Sequence, residues 1–173
     1  MKSQIINKAI SGDSEALTLL VDKYKDIAYN LALGIVRNKE DAKDITQDSF
    51  LKVLENINSF RNDSKFSTWL YRIVYNQSIA FINKENRTNL VDYSLLVEDS
   101  DNNNQEDTIQ DLYKAINKLD DTDRNIIMLF YLAEKTIKEI AQITGLSNSN
   151  IKVILHRARK KLFEKMEYEN TRQ

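Results

Sequence analysis

Apolar side chains recur along this chain every three to four positions, and alternation of apolar and polar residues is scarce. That spacing predicts helices. The first long periodic stretch follows Ser14 (Ala16, Leu19, Leu20, Tyr24, Ile27, Ala28, Leu31) and breaks between Gly34 and Asn38. A second helix is predicted over residues 40–57, with Ile45, Phe50, Val53, Leu54 and Ile57 available for packing. Residues 58–65 read as a loop, marked by Ser59, Asn62, Asp63 and Ser64, and a third helix is predicted over 66–85. Periodicity then fades and resumes at Ile109 with Leu112, Ile116 and Leu119.

Composition sharpens this pattern. There are no prolines and three glycines, so few residues interrupt a helix from within. The interval without periodicity is also the one with one-sided charge. Residues 88–111 carry seven acidic groups and no basic one, and their only apolar patch is Leu95, Leu96 and Val97. Such a segment buries too little apolar surface to offset the entropy of ordering. The expected architecture is all-α: a helical domain over 1–87, an acidic linker over 88–108 and a second helical domain over 109–173. Residues 1–87 carry 13 basic and 11 acidic groups, and residues 112–173 carry 12 and eight. Both helical parts are thus net positive although the whole chain is −1. The total is a poor guide to nucleic-acid binding, which depends on local fields.

Several classes are excluded. Without cysteine there are no disulfides and no thiolate metal sites. No apolar run approaches the roughly 20 residues needed to cross a bilayer. The opening MKSQIINKAI lacks the apolar core of a signal peptide, which points to a cytoplasmic protein. There is no glycine-rich phosphate loop, no Cys/His metal set and no nucleophile beside a base. Neither catalysis nor a cofactor or metal is expected.

Two stretches carry recognisable chemistry. Residues 137–155 have helix-turn-helix spacing: small Ala141, then Gly145 where a tight turn needs a permissive backbone, then Leu146, Ser147, Ser149 and Ile151. Between Asn148 and Lys161 there are five basic residues and no acidic one. At 100° per residue, Ile151, Leu155, Ala158 and Leu162 share an inward face, with Ile154 at its edge. Ser149, Lys152, Val153, His156 and Lys160 point outward, where they can meet base edges, and Arg157 and Arg159 flank them as phosphate contacts. A solvated basic face on a C-terminal helix is the plainer alternative. His156 is the only histidine and has no carboxylate at helical spacing, so it reads as a groove or surface residue.

The second stretch is the helix over 66–85. Phe66, Leu70, Ile73, Val74, Gln77 and Phe81 cluster within about 100° as a core-facing side. Beside them Trp69, Arg72, Asn76 and Asn83 lie within about 60° of one another. An indole, a guanidinium and amides in one row suit unstacked bases. Trp69, flanked by Leu and Tyr, equally suits a core.

Residues 41–82, DAKDITQDSFLKVLENINSFRNDSKFSTWLYRIVYNQSIAFI, resemble region 2 of the extracytoplasmic-function (ECF) sigma factors. Residues 119–162, LDDTDRNIIMLFYLAEKTIKEIAQITGLSNSNIKVILHRARKKL, resemble their region 4. The resemblance implies a sigma factor that binds core RNA polymerase and directs promoter-specific initiation. It assigns Asp41, Asp44, Gln47, Asp48 and Phe50 to the clamp coiled coil of polymerase. It assigns Arg61, Lys65, Trp69, Arg72 and Asn76 to the single-stranded −10 element, and Ser149, Lys152, Val153, His156, Arg157, Arg159 and Lys160 to the duplex −35 element. An anti-sigma partner is a further implication. The chain departs from the family where Val153 and Ile154 replace a common Ser-Arg pair and where Asp120, not proline, follows Leu119. Valine can touch a thymine methyl but cannot make a bidentate bond to guanine, so relatives do not dictate the −35 sequence.

Overall fold

Two short polar side chains fix where the first long helices begin. The computed structural model describes residues 2–61, 63–88, 115–116 and 118–170. Helix α1 (Lys2–Ile10) leads through Gly12 to α2 (Ser14–Val36). The α2 cap is Asp13, whose Oδ1 accepts the backbone N–H groups of Glu15 and Ala16 at 3.0 Å each. Ser14 is therefore the first helical residue and not the cap. Asn38 does the same for α3 (Lys39–Asn56), accepting from Glu40 and Asp41 at 2.9 and 3.2 Å. Between them, Arg37 adopts φ 59° and donates its N–H to the Leu33 carbonyl, ending α2 without a glycine.

A 3-10 turn (Ile57–Ser59) and a short loop lead to α4 (Phe66–Thr88). Helices α2, α3 and α4 pack on one another around Ala28, Leu31, Ala32, Ile35, Ala42, Val53, Leu70 and Val74, all nearly or wholly out of water. Burying each large aliphatic contributes about 1.5–3 kcal/mol. The small alanines at 28 and 32 lie one turn apart on the buried side of α2. Two buried hydroxyls are satisfied within their own helices: Thr46 donates to the Ala42 carbonyl at 2.6 Å and Ser78 to the Val74 carbonyl at 2.9 Å.

Beyond the undescribed stretch lie Ala115, Ile116 and Leu119, all buried, then α5 (Asp121–Ile127). A π turn (Met128–Leu132) continues from α5. It is followed by α6 (Ile137–Thr144) and α7 (Asn148–Asn170). All regular elements among the described residues are helical, as periodicity predicts. Among the described residues the chain divides into two compact units, residues 2–88 with 142–145 and residues 115–141 with 146–170. The acidic linker expected at 88–108 lies, apart from Thr88, outside the described residues.

Candidate functional site

In the first unit, α3 turns Ala42, Ile45, Thr46, Ser49, Phe50 and Val53 inward. Asp44, Gln47 and Asp48 are exposed on the other side, and Asp41 is partly so. Phe50, expected beside them as a contact, is instead 9% exposed and part of the core. The reason is register: Phe50 stands one turn from Thr46 and Val53, both buried.

The loop before α4 is pinned at both ends by aromatic rings. Phe60 and Phe66 are buried, and their centroids lie 5.7 Å apart edge to face. Trp69 packs on both, at 5.3 and 5.8 Å, yet keeps part of its indole in solvent. One side of the ring is thus packed against the loop aromatics and the rest is open. Tyr24 of α2 extends the cluster, 5.6 Å from Phe66 and 6.4 Å from Tyr71. Burial pushes the phenol of Tyr71 well above its ordinary value, and the neighbouring Tyr24 adds to this. Arg61, Lys65, Arg72 and Asn76 are exposed, so the loop and one side of α4 present cations and an amide around the indole. Gln77, on the inward stripe, bridges to α3: it accepts from Lys52 Nζ at 2.8 Å and donates to Ser49 Oγ at 3.2 Å.

In the second unit, α6 opens with a capping box. The Thr136 N–H donates to Glu139 Oε2 at 2.9 Å and Thr136 Oγ1 accepts the Glu139 N–H at 3.3 Å. The signal, Thr136-Ile-Lys-Glu139, is legible in the sequence, although the periodicity reading passes over it. After α6, Gly145 sits at φ 78° and Ser147 caps α7 by accepting the Asn150 N–H at 3.2 Å. Ser149 is exposed, its hydroxyl 3.1 Å from that of Ser147. A Cβ on Gly145 would meet nothing within 4 Å, so only backbone conformation demands glycine there. Gly145→Ala is accordingly expected to cost about 1–2 kcal/mol in urea denaturation, and Gly145→Asn less, since asparagine tolerates this region.

Ile151, Ile154, Leu155 and Ala158 of α7 are buried, while Lys152, Val153, His156 and Lys160 are exposed, Val153 at 62%. Both flanking arginines are exposed, and each has a partner within the unit. Arg157 turns to Asp123 of α5, with Nε donating to Oδ2 at 3.2 Å and NH2 to Oδ1. Lys161 reaches the same carboxylate at 2.9 Å and Asp120 at 2.5 Å. Arg159 donates to the Tyr131 hydroxyl at 2.8 Å and stacks over the rings of Phe130 and Tyr131. Periodicity places a side chain on a face but is blind to a carboxylate 34 positions away. The sequence reading missed Asp123 and Tyr131 for that reason.

Burial alone would raise the Asp123 carboxyl, but hydrogen bonds from Arg157 and Lys161 outweigh it and hold the group below its ordinary value. Because the folded value is depressed, this pairing stabilises the fold fully above the unfolded value of about 4. The stabilisation is lost as pH falls through the lower folded value. Urea midpoints measured from pH 7 to pH 3 should therefore decline below about pH 4. Asp123→Asn should flatten that decline, and an equally steep one in the variant would contradict the assignment.

Comparison with known proteins agrees with this geometry. Two family models match, sigma-70 region 2 over residues 20–88 and sigma-70 region 4 over residues 109–162. The ECF RNA polymerase sigma factor SigW of Bacillus subtilis (strain 168) is 34% identical, covering 91% of this chain and 92% of its own. The RNA polymerase sigma factor SigV of the same strain is 30% identical over 92% and 93%. The sigma factor RpoE of Bartonella quintana, solved in complex with the anti-sigma factor NepR, has a similar fold. Its TM-score is 0.74 at 22% identity, over 87% of this chain and 96% of that one. Helical units with an aromatic-and-amide helix in one and a helix-turn-helix in the sequence beyond it define a two-region transcription factor. The chain belongs to the ECF sigma factors of the sigma-70 family.

Proposed function

We propose that each exposed face described above carries one step of promoter-specific initiation. As a sigma factor, the chain binds core RNA polymerase and directs initiation at promoters through regions 2 and 4. The exposed Asp41, Asp44, Gln47 and Asp48 of α3 seat region 2 on a basic coiled coil of the polymerase clamp, with carboxylates supplying charge complementarity. Trp69 stacks an extruded −10 base, Asn76 reads its edge, and Arg61, Lys65 and Arg72 hold the strand's phosphates. In region 4, Ser149, Lys152, Val153 and His156 face the −35 duplex, with Lys160 toward phosphate. Arg157 is left out of that set because Asp123 engages it, and Arg159 reaches DNA only from its seat on Tyr131.

The observation that carries this reading is that one unit exposes a row of carboxylates and an amide on α3 and a half-open indole beside amide and guanidinium groups on α4. A promoter-binding repressor has no use for the second. The domain limits 1–87, 88–108 and 109–173 belong to the same proposal. So do action in the cytoplasm, the absence of catalytic activity and capture by an anti-sigma protein such as the one holding the Bartonella relative. Among the described residues no helix is long and apolar enough to cross a membrane. In vitro transcription with core polymerase on genomic DNA tests the whole. Defined new start sites that appear only with this protein are expected. Start-site choice identical to that of core alone would overturn the reading.

A further inference from the structure

Arg157 projects from α7 beside its outward face, while Lys161 stands at the edge of the inward face, about 20° from buried Ile154. Both converge on one carboxylate. Asp123 is wholly buried (0%), while Arg157 keeps 51% of its side chain exposed and Lys161 35%. The two cations are therefore accessible, and their charge is already matched from within by a residue fixed on α5. Arg157 spends its Nε–H and an NH2 proton on Asp123, so drawing either cation over to a DNA phosphate would weaken the pairing of a buried carboxylate, which is unfavourable. Lys152 and Lys160, by contrast, are exposed on the outward face, where Lys160 lies 3.8 Å from the exposed carboxylate of Glu164.

We propose that Asp123 is a specificity-determining residue for duplex recognition, an internal counter-charge that withholds Arg157 and Lys161 from DNA phosphates. The proposal rests on α7 being the duplex reader. Phosphate contacts strengthen binding to every sequence alike, whereas base contacts separate one sequence from another. Withdrawing two cations from the backbone lowers affinity for random DNA while leaving the contribution of Lys152, Val153 and His156 intact. Asp123 thus widens the ratio between cognate and random sites without touching a base. The same pairs tie α7 to α5, which keeps the reading helix at a fixed angle within its own unit.

The test is the salt dependence of DNA binding by holoenzyme assembled from the full chain and core polymerase. Fluorescence anisotropy compares an upstream duplex carrying the −35 element with a scrambled duplex of equal length. Each phosphate neutralised adds about 0.9 to the slope of log affinity against log salt. Asp123→Asn, checked for helical content by circular dichroism, should steepen that slope by about one to two, tighten scrambled binding at low salt several-fold, and narrow the cognate preference. Lys161→Gln, with Arg157 still holding Asp123, should leave the slope unchanged. A slope that falls by about one in Lys161→Gln would overturn the proposal, because it would place that cation on phosphate already, and this arm decides even if Asp123→Asn misfolds. An unchanged slope in folded Asp123→Asn would overturn it equally. Wild-type holoenzyme that binds both duplexes alike would remove the duplex-reading assignment of α7 itself, a different failure from either of these.

Discussion

Replacing Asp44 and Asp48 together by lysine is expected to weaken association with core polymerase by about 30-fold or more, roughly 2 kcal/mol. The two residues stand one turn apart on the exposed side of α3, and the change turns two negative charges into two positive ones. Against a basic coiled coil this converts attraction into repulsion at the centre of the contact. Folding should be spared, because Ala42, Ile45, Phe50 and Val53 hold α3 from its other side. Titration of labelled protein with core polymerase, alongside circular dichroism, separates the two effects. Undiminished affinity would take the α3 face out of the polymerase contact.

Trp69→Ala should reduce opening of the −10 element by roughly 5- to 150-fold, the range set by about 1–3 kcal/mol for one base stacked on an aromatic ring. Some stability is lost as well, since one side of the indole lies on Phe60 and Phe66. Trp69→Phe helps to separate these contributions. A phenyl ring restores much of the packing while offering a smaller platform to a base, so stability should recover further than opening does. Permanganate reactivity of unpaired thymines in the −10 element reports opening, and binding to the −35 duplex should not change. If Trp69→Ala opens promoters normally, the ring is only a wedge that holds the loop.

The helices of the first unit were legible because their apolar residues repeat at helical spacing: Phe66, Leu70 and Val74 recur every fourth residue and all are buried. The helix-turn-helix was legible because a glycine at the turn and a serine cap leave local marks, and both stand where expected. What escaped depends on contacts between distant parts of the chain. Phe50 was legible both as a packing residue and, by resemblance, as a contact, and the register of α3 decides for the core. Arg157 and Arg159 look like free cations until α5 and the π turn bring Asp123 and Tyr131 beside them. The cap of α2 was not singled out from the sequence: Asp13 and Ser14 are both competent caps, and the carboxylate takes the position.

The Gln77 bridge to Ser49 and Lys52 has a consequence for how promoters are measured out. Under the proposed roles of α3 and α4, it ties the grip on the enzyme to the grip on the melted strand, so the two would travel as a single piece. The offset from the first extruded base to the catalytic centre then becomes a fixed ruler carried by region 2, the same at every promoter. Variation in promoter length has to be absorbed upstream of that ruler, where the chain passes on toward region 4.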